Sequence, residues 1–359
     1  VVMGMVLFLA MSGVLRDLHL SIRARWPVAI AAGALLAFNV VLGERIFGAK
    51  NWISIGPLSF QPSELVKIAF ILAGAATLDR LFAKRNLVFT ILFSAYCVGC
   101  LALMSDFGTA LIFFVAFLCI AFLRTGDLPS IAMMVAAAAF GCGIILRFKP
   151  YIADRFAAWR HAWDYAQDIG YQQTRTMSAM ASGGLFGVGP KDGWLKYVGA
   201  ANTDLVFGVV GEEFGFLLAL CCVAALVIPI VFTLRCAAAA RSSFYTILSC
   251  ATAAMLVCQM ALNVLGAVDL LPLTGVTFPF VSMGGSSMIS CWGLMAYLKA
   301  ADTRQNASFA LRLSKLAPQQ QEKKAAPAPK ARPKAPQEGF FADRPDIPVD
   351  KIFGKEEDK

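Results

Sequence analysis

Long apolar runs, separated by short polar segments, dominate the pattern of this chain. Each run continues over on the order of 20 residues and does not alternate between apolar and polar positions. A segment that crosses lipid must satisfy its own backbone hydrogen bonds, and a continuous apolar run does so as a helix. The pattern therefore predicts an all-α fold, a polytopic transmembrane helical bundle.

We expect about nine spans. They cover approximately residues 1–15, 26–43, 64–78, 87–104, a run that continues to residue 122 after a break over 105–109, 131–146, 205–234, 246–268 and a last run that ends near residue 300. The seventh run is interrupted by Gly211-Glu-Glu213. The chain begins in an apolar run without Met, and no basic segment precedes that run, which favours the start of a fragment over a signal peptide.

Positive residues in the short loops assign a side to these spans. The basic loops alternate, and they contain Arg16, Arg23, Arg25, Arg80, Lys84, Arg85, Arg124, Arg235, Arg241 and the segment after Lys299. The positive-inside rule makes their side cytoplasmic. The outward side then contains segments 48–64 and 269–287, Asp106 and a large loop over 148–204. The net charge of +9 follows from this topology. The sequence has no basic face with interleaved aromatic residues, so nucleic-acid binding is disfavoured.

Composition divides the chain into two parts. Residues 1–301 form the predicted membrane domain, and the chain as a whole is 58% hydrophobic and only 15% charged, below the roughly 25% of soluble domains. Residues 302–359 are rich in Pro, Ala and Lys, cannot bury a core, and are predicted to be a disordered basic tail in the cytoplasm. We interpret the tail as a solvated tether, with a partner site over 340–353 as the alternative.

Cysteine and histidine offer little material for catalysis. All 10 Cys lie in or beside apolar runs, where they act as small packing residues. Cys97-Val-Gly-Cys100 has a redox spacing but lacks the βαβ context, so packing is favoured. With only 2 His, imidazole metal sites and His-dependent triads are disfavoured. Carboxylates, amines and hydroxyls must carry any reaction.

Ionisable residues beside the outer ends of spans are the candidates for function, because their burial in a membrane is costly. Glu64 and Lys67 are three residues apart on one predicted helix and share a face. They are either a structural ion pair or a pair that holds substrate. Ser63 is predicted to cap this helix, with Glu64 in its first turn. Asp106 precedes Phe-Gly-Thr109 and is interpreted as a helix cap.

Asp204 stands where the large polar loop re-enters the membrane. A carboxylate at this point is accessible to a lipid head group and partly desolvated, which suits a general base. Simple capping of the following helix is the alternative. Glu212 and Glu213 lie inside the next apolar run, where they either cap a helix or bind a cation, and a structural role is favoured.

Eight short motifs occur in an order and spacing that resembles the SEDS family, the FtsW, RodA and SpoVE proteins of bacterial cell-wall synthesis. They are Gln61-Pro-Ser-Glu-Leu-Val-Lys67, Asp106-Phe-Gly-Thr109, Gly170-Tyr-Gln172, Ser182-Gly-Gly-Leu-Phe-Gly187, Thr203-Asp204, Gly211-Glu-Glu213, Leu271-Pro-Leu-Thr-Gly275 and Pro279-Phe-Val-Ser-Met-Gly-Gly-Ser-Ser287. The resemblance covers residues 1 to about 300. Members of the family have one more N-terminal span than we count here.

The resemblance implies a peptidoglycan glycosyltransferase that polymerises lipid II at the outer face of the bacterial cytoplasmic membrane. It also implies a class B penicillin-binding transpeptidase as partner, within a division, elongation or sporulation complex. Asp204 matches the family's proposed catalytic residue. The expected reaction is inverting transfer, in which Asp204 deprotonates the acceptor and the undecaprenyl-pyrophosphate-linked glycan is the donor.

A further set of residues is predicted to bind substrate. They are Glu64, Lys67, Lys50, Arg155, Lys196, Tyr171, Gln172, Ser282 and Ser286. Of these, Lys67, Arg155 and Lys196 are expected to offset the charge of the leaving pyrophosphate. A divalent cation, Mg²⁺ or Mn²⁺, is a possible cofactor, but no protein metal site is predicted.

The chain departs from the family pattern at two positions. The family has Arg before the Trp of its Gly-Ala-x-Arg-Trp motif, where this chain has Lys50-Asn51-Trp52, so Lys50 is expected to stand in for that Arg. Asn202 precedes Thr203-Asp204 where the family has His or Glu. Two other functions stay open: a lipid II flippase, which would explain Glu64 and Lys67, and a non-catalytic scaffold that recruits a transpeptidase.

Overall fold

The computed structural model describes residues 1–300, apart from residues 47, 57, 79–83, 149 and 239–241. The predicted basic tail lies outside the described residues.

The described residues form a mostly helical fold with one small sheet. The elements are α1 Val2–Val14, α2 Leu18–Arg23, α3 Arg25–Leu42, β1 Glu44–Ile46, β2 Ala49–Ile55, β3 Leu58–Phe60, α4 Pro62–Leu78, α5 Lys84–Leu103, α6 Phe107–Thr125, α7 Leu128–Phe148, α8 Pro150–Ala158, α9 Tyr171–Gly183, α10 Val206–Glu213, α11 Gly215–Ala238, α12 Ser243–Ala267 and α13 over 285–300. A short 3₁₀ turn, Leu195–Tyr197, lies in the large loop.

Within the described residues, nine helices correspond to the nine predicted spans: α1, α3, α4, α5, α6, α7, α11, α12 and α13. Four of them, α3, α6, α11 and α12, are long and apolar enough to cross a membrane by length and composition. Shorter apolar helical stretches lie within α1, α5 and α7. The helical, polytopic fold class is therefore confirmed.

The seventh predicted span differs from the expectation. Residues 205–234 form two helices rather than one, because the chain breaks between α10 and α11. Gly215 takes a φ of 87°, and a Cβ there would lie 2.2 Å from the carbonyl oxygen of Leu185. Only glycine allows this backbone conformation together with so close an approach of the large loop. The break thus fixes the loop against the start of α11.

The outward loop predicted over 48–64 is not all irregular, because residues 44–60 contain the antiparallel sheet β1-β2-β3. The strands pair Glu44 with Trp52 and Ile53 with Phe60. Such short strands lack a recognisable alternating pattern, which is why the sequence does not reveal them.

The predicted cap of α4 was wrong. This helix begins at Pro62, the residue type favoured at the first helical position. Ser63 therefore lies inside the first turn, and its buried Oγ makes no hydrogen bond. Glu64 lies in the first turn, as predicted.

Helix α12 occupies the centre of the helical core, where it packs against α4, α6, α10 and α11. Its buried residues include Leu248, Leu256 and Leu262. Small residues let neighbouring helices approach, as where Gly74 of α4 meets Ile120 of α6. Because lipid supplies little hydrophobic force between helices, this close packing is what holds the bundle together.

The two ends of the bundle collect the segments that the charge pattern assigns to opposite sides. At one end, Arg25 donates from Nη1 to the carbonyl oxygen of Ala76 near the end of α4 (3.3 Å). At the other end, Gln61 before α4 donates from Nε2 to Asp106 Oδ2 before α6 (2.9 Å). Arg25 and Gln61 therefore contact opposite ends of α4.

Candidate active site

Asp204 lies at the C-terminal end of the large loop, against the segment that follows α12. Its backbone carbonyl accepts a hydrogen bond from Asn263 Nδ2 of α12 (2.8 Å). A Cβ on Gly275 would lie 3.2 Å from Asp204 Oδ2, so the backbone of Gly275 borders the carboxylate directly. The N-cap of α10 is Leu205, and no side chain caps this helix. The structure therefore removes the alternative that Asp204 is a capping residue.

Burial dominates the electrostatics of Asp204. Desolvation raises the pKa of its carboxyl from 3.8 to about 6. A hydrogen bond from Thr203 and the positive charge of Arg155 lower that pKa, and the negative charge of Asp106 raises it, but each effect is smaller than burial. A carboxyl whose pKa lies near neutrality is suited to accept a proton during catalysis.

Segment 272–283 forms the wall opposite the large loop. Ser282 Oγ donates to the carbonyl oxygen of Thr203 (2.5 Å) and accepts from the amide of Phe278 (2.8 Å). Met283 donates its amide to the carbonyl oxygen of Asn202 (2.8 Å). These bonds fasten the segment to both residues that precede Asp204.

Glu64 and Lys67 form the ion pair that their spacing predicts, with Lys67 Nζ 2.8 Å from Glu64 Oε1. Both side chains are buried, at 1% exposure for Lys67 and 4% for Glu64. Lys67 Nζ also donates to Gln259 Oε1 of α12 (3.0 Å). Glu64 Oε2 is buried without a hydrogen-bond partner. The pair is internal to the bundle, between α4 and α12.

Asp106 is bound by three donors at the start of α6. Oδ1 accepts from the amide of Thr109 (3.2 Å), which confirms the predicted cap, and Oδ2 accepts from Asn51 Nδ2 (2.8 Å) and Gln61 Nε2 (2.9 Å). Asn51, at the position of the family's Arg, therefore contacts Asp106 directly. Lys50 does not point the same way: its Nζ donates to the carbonyl oxygens of Val40 and Val41 at the end of α3 (2.9 Å each).

The predicted cations occupy different surroundings. Arg155 of α8 acts electrostatically on Asp204 and donates from Nη1 to the carbonyl oxygen of Leu273. Lys196 donates to the carbonyl oxygen of Lys191 and lies over the ring of Tyr197 within its own loop. The structure thus brings Arg155 to Asp204, whereas the described contacts of Lys196 stay local.

The remaining predicted residues lie on α9 and at the start of α13. Tyr171 is exposed and packs its ring against Arg175 (5.2 Å). Gln172 donates from Nε2 to the carbonyl oxygen of Gly199 (3.0 Å), which joins α9 to the end of the large loop. Ser286 Oγ accepts from the amide of Gln61 (3.3 Å), which joins α13 to the start of α4.

Glu212 performs the structural role that the sequence favours. Its carboxylate accepts from the amides of Trp194 (2.9 Å) and Leu195 (3.0 Å), and its carbonyl oxygen accepts from the amide of Val188 (3.0 Å). Glu212 therefore ties the Gly-rich part of the large loop to α10.

The described residues contain no group of three or more His, Cys, Asp and Glu placed to hold a metal ion. Asp106 is an acidic residue that acts on Asp204, and its two oxygens already accept three hydrogen bonds.

Two residues close to this site escaped sequence reasoning, Gln259 and Asn263 of α12. Gln259 Nε2 donates to both the carbonyl oxygen and Oγ1 of Thr277 (3.0 Å each), and Asn263 donates to Val276 as well as to Asp204. The available signal was two amides four residues apart inside an apolar run, since amides buried in a membrane span need partners.

Comparison with known proteins places this geometry in a family. The model of the FtsW/RodA/SpoVE cell cycle proteins matches residues 1–307. The chain is 30% identical over 272 residues to a probable peptidoglycan glycosyltransferase FtsW of Borreliella burgdorferi, which covers 74% of each chain. It is 30% identical over 317 residues to the peptidoglycan glycosyltransferase RodA of Mycobacterium leprae, which covers 82% of this chain and 67% of the relative.

Solved structures share the fold. A chain from the work "Structural coordination of polymerization and crosslinking by a peptidoglycan synthase complex" superposes with a TM-score of 0.67 at 27% identity, over 84% of this chain and 88% of the other. The rod shape determining protein RodA of Thermus thermophilus superposes with a TM-score of 0.59 at 25% identity, over 84% and 86%. This chain is therefore a multi-pass membrane protein that belongs to the SEDS family of FtsW, RodA and SpoVE.

Proposed function

We propose that this protein is a peptidoglycan glycosyltransferase that polymerises lipid II into glycan strands at the outer face of the bacterial cytoplasmic membrane. One observation carries the proposal: the half-buried carboxyl of Asp204, with a pKa of about 6, lies where the large loop meets segment 272–283. The FtsW and RodA relatives, which carry this activity in their names, support it.

In the proposed reaction Asp204 is the general base. Its carboxylate takes the proton of the acceptor GlcNAc 4-hydroxyl as that oxygen attacks the anomeric carbon of the growing glycan. The new C–O bond forms while the bond from the anomeric carbon to the lipid pyrophosphate breaks, with inversion. Because pyrophosphate leaves as a stable anion, no second carboxyl is needed to protonate it, unlike in glycosidases. The proton stays on Asp204 until solvent removes it.

Arg155 is the cation that we propose for the leaving group. It acts on Asp204, and its bond to the carbonyl oxygen of Leu273 sets the direction of a guanidinium that has five donors. Positive charge near the breaking bond stabilises the developing negative charge. Lys67 and Lys196 are less suitable, because Lys67 is paired with Glu64 inside the bundle and Lys196 contacts its own loop. No step is assigned to a divalent cation.

The sugar-binding surface is proposed to be shaped by Tyr171, Gln172, Ser282 and Ser286. In this proposal both Ser act through the backbone bonds that they make, and the exposed ring of Tyr171 is available to pack against a sugar. A class B penicillin-binding transpeptidase is the proposed partner, within a division, elongation or sporulation complex. The large loop faces outward and the tail faces the cytoplasm.

Translocation of lipid II is the second candidate, and the Glu64–Lys67 pair inside the bundle favours it. A transporter uses intramembrane charges along its path. Here the described contacts of Lys67 are with Glu64 and Gln259, so they brace α4 against α12.

The test is polymerisation of lipid II by the purified full chain with its transpeptidase, with and without substitution of Asp204. We expect Asp204→Asn and Asp204→Ala to lower the rate by about a hundred-fold to ten-thousand-fold, because a general base is lost. Asp164→Asn is the matched control, since Asp164 is an exposed carboxylate of the same loop. Equal rates for all variants would remove Asp204 from the reaction. Lipid transfer across vesicles without polymer from any variant would favour the transporter.

A further inference from the structure

Two amide side chains on one face of α12 join the two charged centres of the molecule. Gln259 and Asn263 are four residues apart, so they lie one above the other on the helix. Both are buried, at 1% and 2% exposure. Neither belongs to the motifs that identify the family, and no step of the proposed reaction uses them.

Asn263 holds the backbone on both sides of the Asp204 carboxylate. Its Nδ2 donates to the carbonyl oxygen of Asp204 itself and to that of Val276, each at 2.8 Å. Val276 follows Gly275, the residue whose backbone borders Asp204 Oδ2. One amide group therefore sets the spacing between the carboxylate and the wall that faces it.

Gln259 continues this arrangement one turn away. Its Nε2 donates to the carbonyl oxygen and to Oγ1 of Thr277, the residue after Val276, and Thr277 Oγ1 is 2.7 Å from Ser287 Oγ. Its Oε1 accepts from Lys67 Nζ. Because Lys67 can only donate, it fixes which end of the amide faces Thr277. The buried ion pair thereby orients the same backbone segment that borders Asp204.

We propose that Gln259 and Asn263 form an amide clamp that positions Asp204 for proton transfer, with Lys67 setting the orientation of its Gln259 arm. The inference rests on the proposed function. Neither amide touches the reacting atoms in this assignment; both act through the backbone of Asp204, Val276 and Thr277. In this proposal the Glu64–Lys67 pair contributes to catalysis indirectly, because Lys67 orients Gln259.

The decisive experiment measures kcat and KM for lipid II polymerisation by the full chain carrying Asn263→Leu, which keeps the size of the side chain but removes the donor. We expect kcat to fall about a hundred-fold, the usual scale for a displacement near 1 Å at a reacting group, with KM changed less than about threefold. The acid limb of the pH–rate profile should also move to lower pH, because a displaced Asp204 carboxyl becomes more solvated. The charged groups that act on this carboxyl, Arg155 and Asp106, are unchanged in the variant.

Thr252→Val is the matched control. Thr252 is fully buried on the same helix, and its Oγ1 bonds only to the carbonyl oxygen of Leu248 among the described contacts. We expect kcat within about twofold of the parent, since no bond to the segment near Asp204 is changed. An equal loss in Thr252→Val and Asn263→Leu would show that any buried polar change in α12 disturbs the enzyme, and would overturn the clamp.

Asn263→Asp covers the case in which the Leu variant does not fold. The Asp side chain has the same shape, and its protonated form donates one hydrogen bond where the amide donates two. Its activity relative to the parent should therefore be higher at pH 6 than at pH 8. A ratio that does not change with pH contradicts the proposal.

Amide hydrogen exchange supplies a readout that does not depend on activity. In the Asn263 variants the amides of Phe278 and Met283, which bond to Ser282 and Asn202, should exchange faster than in the parent. Unchanged exchange and unchanged kcat, in a protein that Asp204→Asn still inactivates, would refute the clamp alone. A protein in which Asp204→Asn keeps full activity would refute the proposed function instead.

Discussion

Glu64 and Asp204 are both carboxylates, yet their surroundings differ in kind. Glu64 is buried against the ammonium group of Lys67, which neutralises it at 2.8 Å. Asp204 is half-buried at a loop, and the opposing effects of Thr203 and Arg155 do not cancel the burial that raises its pKa to about 6. Its ion pair with Lys67 gives Glu64 a structural role. Because nearby groups only partly offset the desolvation of Asp204, that carboxyl can exchange a proton near neutral pH.

The largest effect should come from breaking the pair. Lys67→Met leaves Glu64 as a buried charge without its partner, and we expect the free energy of unfolding to fall by about 3–5 kcal/mol. The double variant Glu64→Gln/Lys67→Met removes both charges and should recover most of that loss. Unfolding equilibria in mixed micelles measure both values.

Lys191→Met serves as the control for loss of a positive charge, because Lys191 is an exposed residue of the large loop. It should change the free energy of unfolding by less than about 0.5 kcal/mol. If Lys67→Met were as mild as this control, the pair would contribute nothing as a brace, and the contrast with Asp204 would disappear.

The second prediction concerns stability at Asp204. Burial raises the pKa of the Asp204 carboxyl in the folded state. The favourable contribution of this carboxyl to the free energy of unfolding is therefore complete below pH 3.8 and is lost as the pH rises to about 6. Asp204→Asn, which stays neutral, should therefore raise the free energy of unfolding at pH 7 by up to about 3 kcal/mol. The gain should vanish near pH 4. Chemical unfolding at both pH values tests this.

A variant that loses activity and gains stability shows that the carboxylate is kept for function at the expense of the fold. Asp164→Asn, at an exposed position, should show neither change. A stability gain that persists unchanged at pH 4 would mean that charge at Asp204 is not its source.

The smallest predicted effect is a shift in the pH dependence. Wild-type polymerisation should lose activity about tenfold per pH unit below pH 6, as the general base becomes protonated. Arg155 favours the ionised carboxyl, so Arg155→Gln should move this acid limb upward by about 0.5 pH unit, on the order of 0.7 kcal/mol. The pH–rate profile of kcat/KM measures the shift, separately from any loss of maximal rate.

A limb that moves downward, or does not move, would show that Arg155 does not act on the ionisation of Asp204. Lys191→Met provides the comparison here too, because its charge lies on an exposed part of the loop.

Local rules account for the features that the sequence predicts correctly. The apolar runs locate the helices, the three-residue spacing predicts the Glu64–Lys67 pair, and the position of Asp106 before α6 predicts its cap. Each depends on residues within a turn or a span of one another. The choice of Asp204 came from its place at a loop end and from the resemblance, and its role in the reaction stays a prediction.

The features that the sequence missed depend on contacts between distant segments. The resemblance predicts that Lys50 stands in for the Arg of the family motif, but its Nζ contacts the end of α3, which no local pattern reveals. The partners of Gln259 and Asn263 lie in loops far along the chain. The break at Gly215 is explained by the close approach of the Leu185 backbone, which the sequence does not show.

Glu212 has a consequence for the order in which the protein is made. The amides of Trp194, Leu195 and Val188 need a partner that is synthesised after them, on the helix that follows the loop. During translation, the glycine-rich part of the loop can form these hydrogen bonds only after α10 has been synthesised and has packed against it. Folding of the large loop thus depends on synthesis of the downstream helix, and a chain stalled before residue 212 would have an incompletely folded loop.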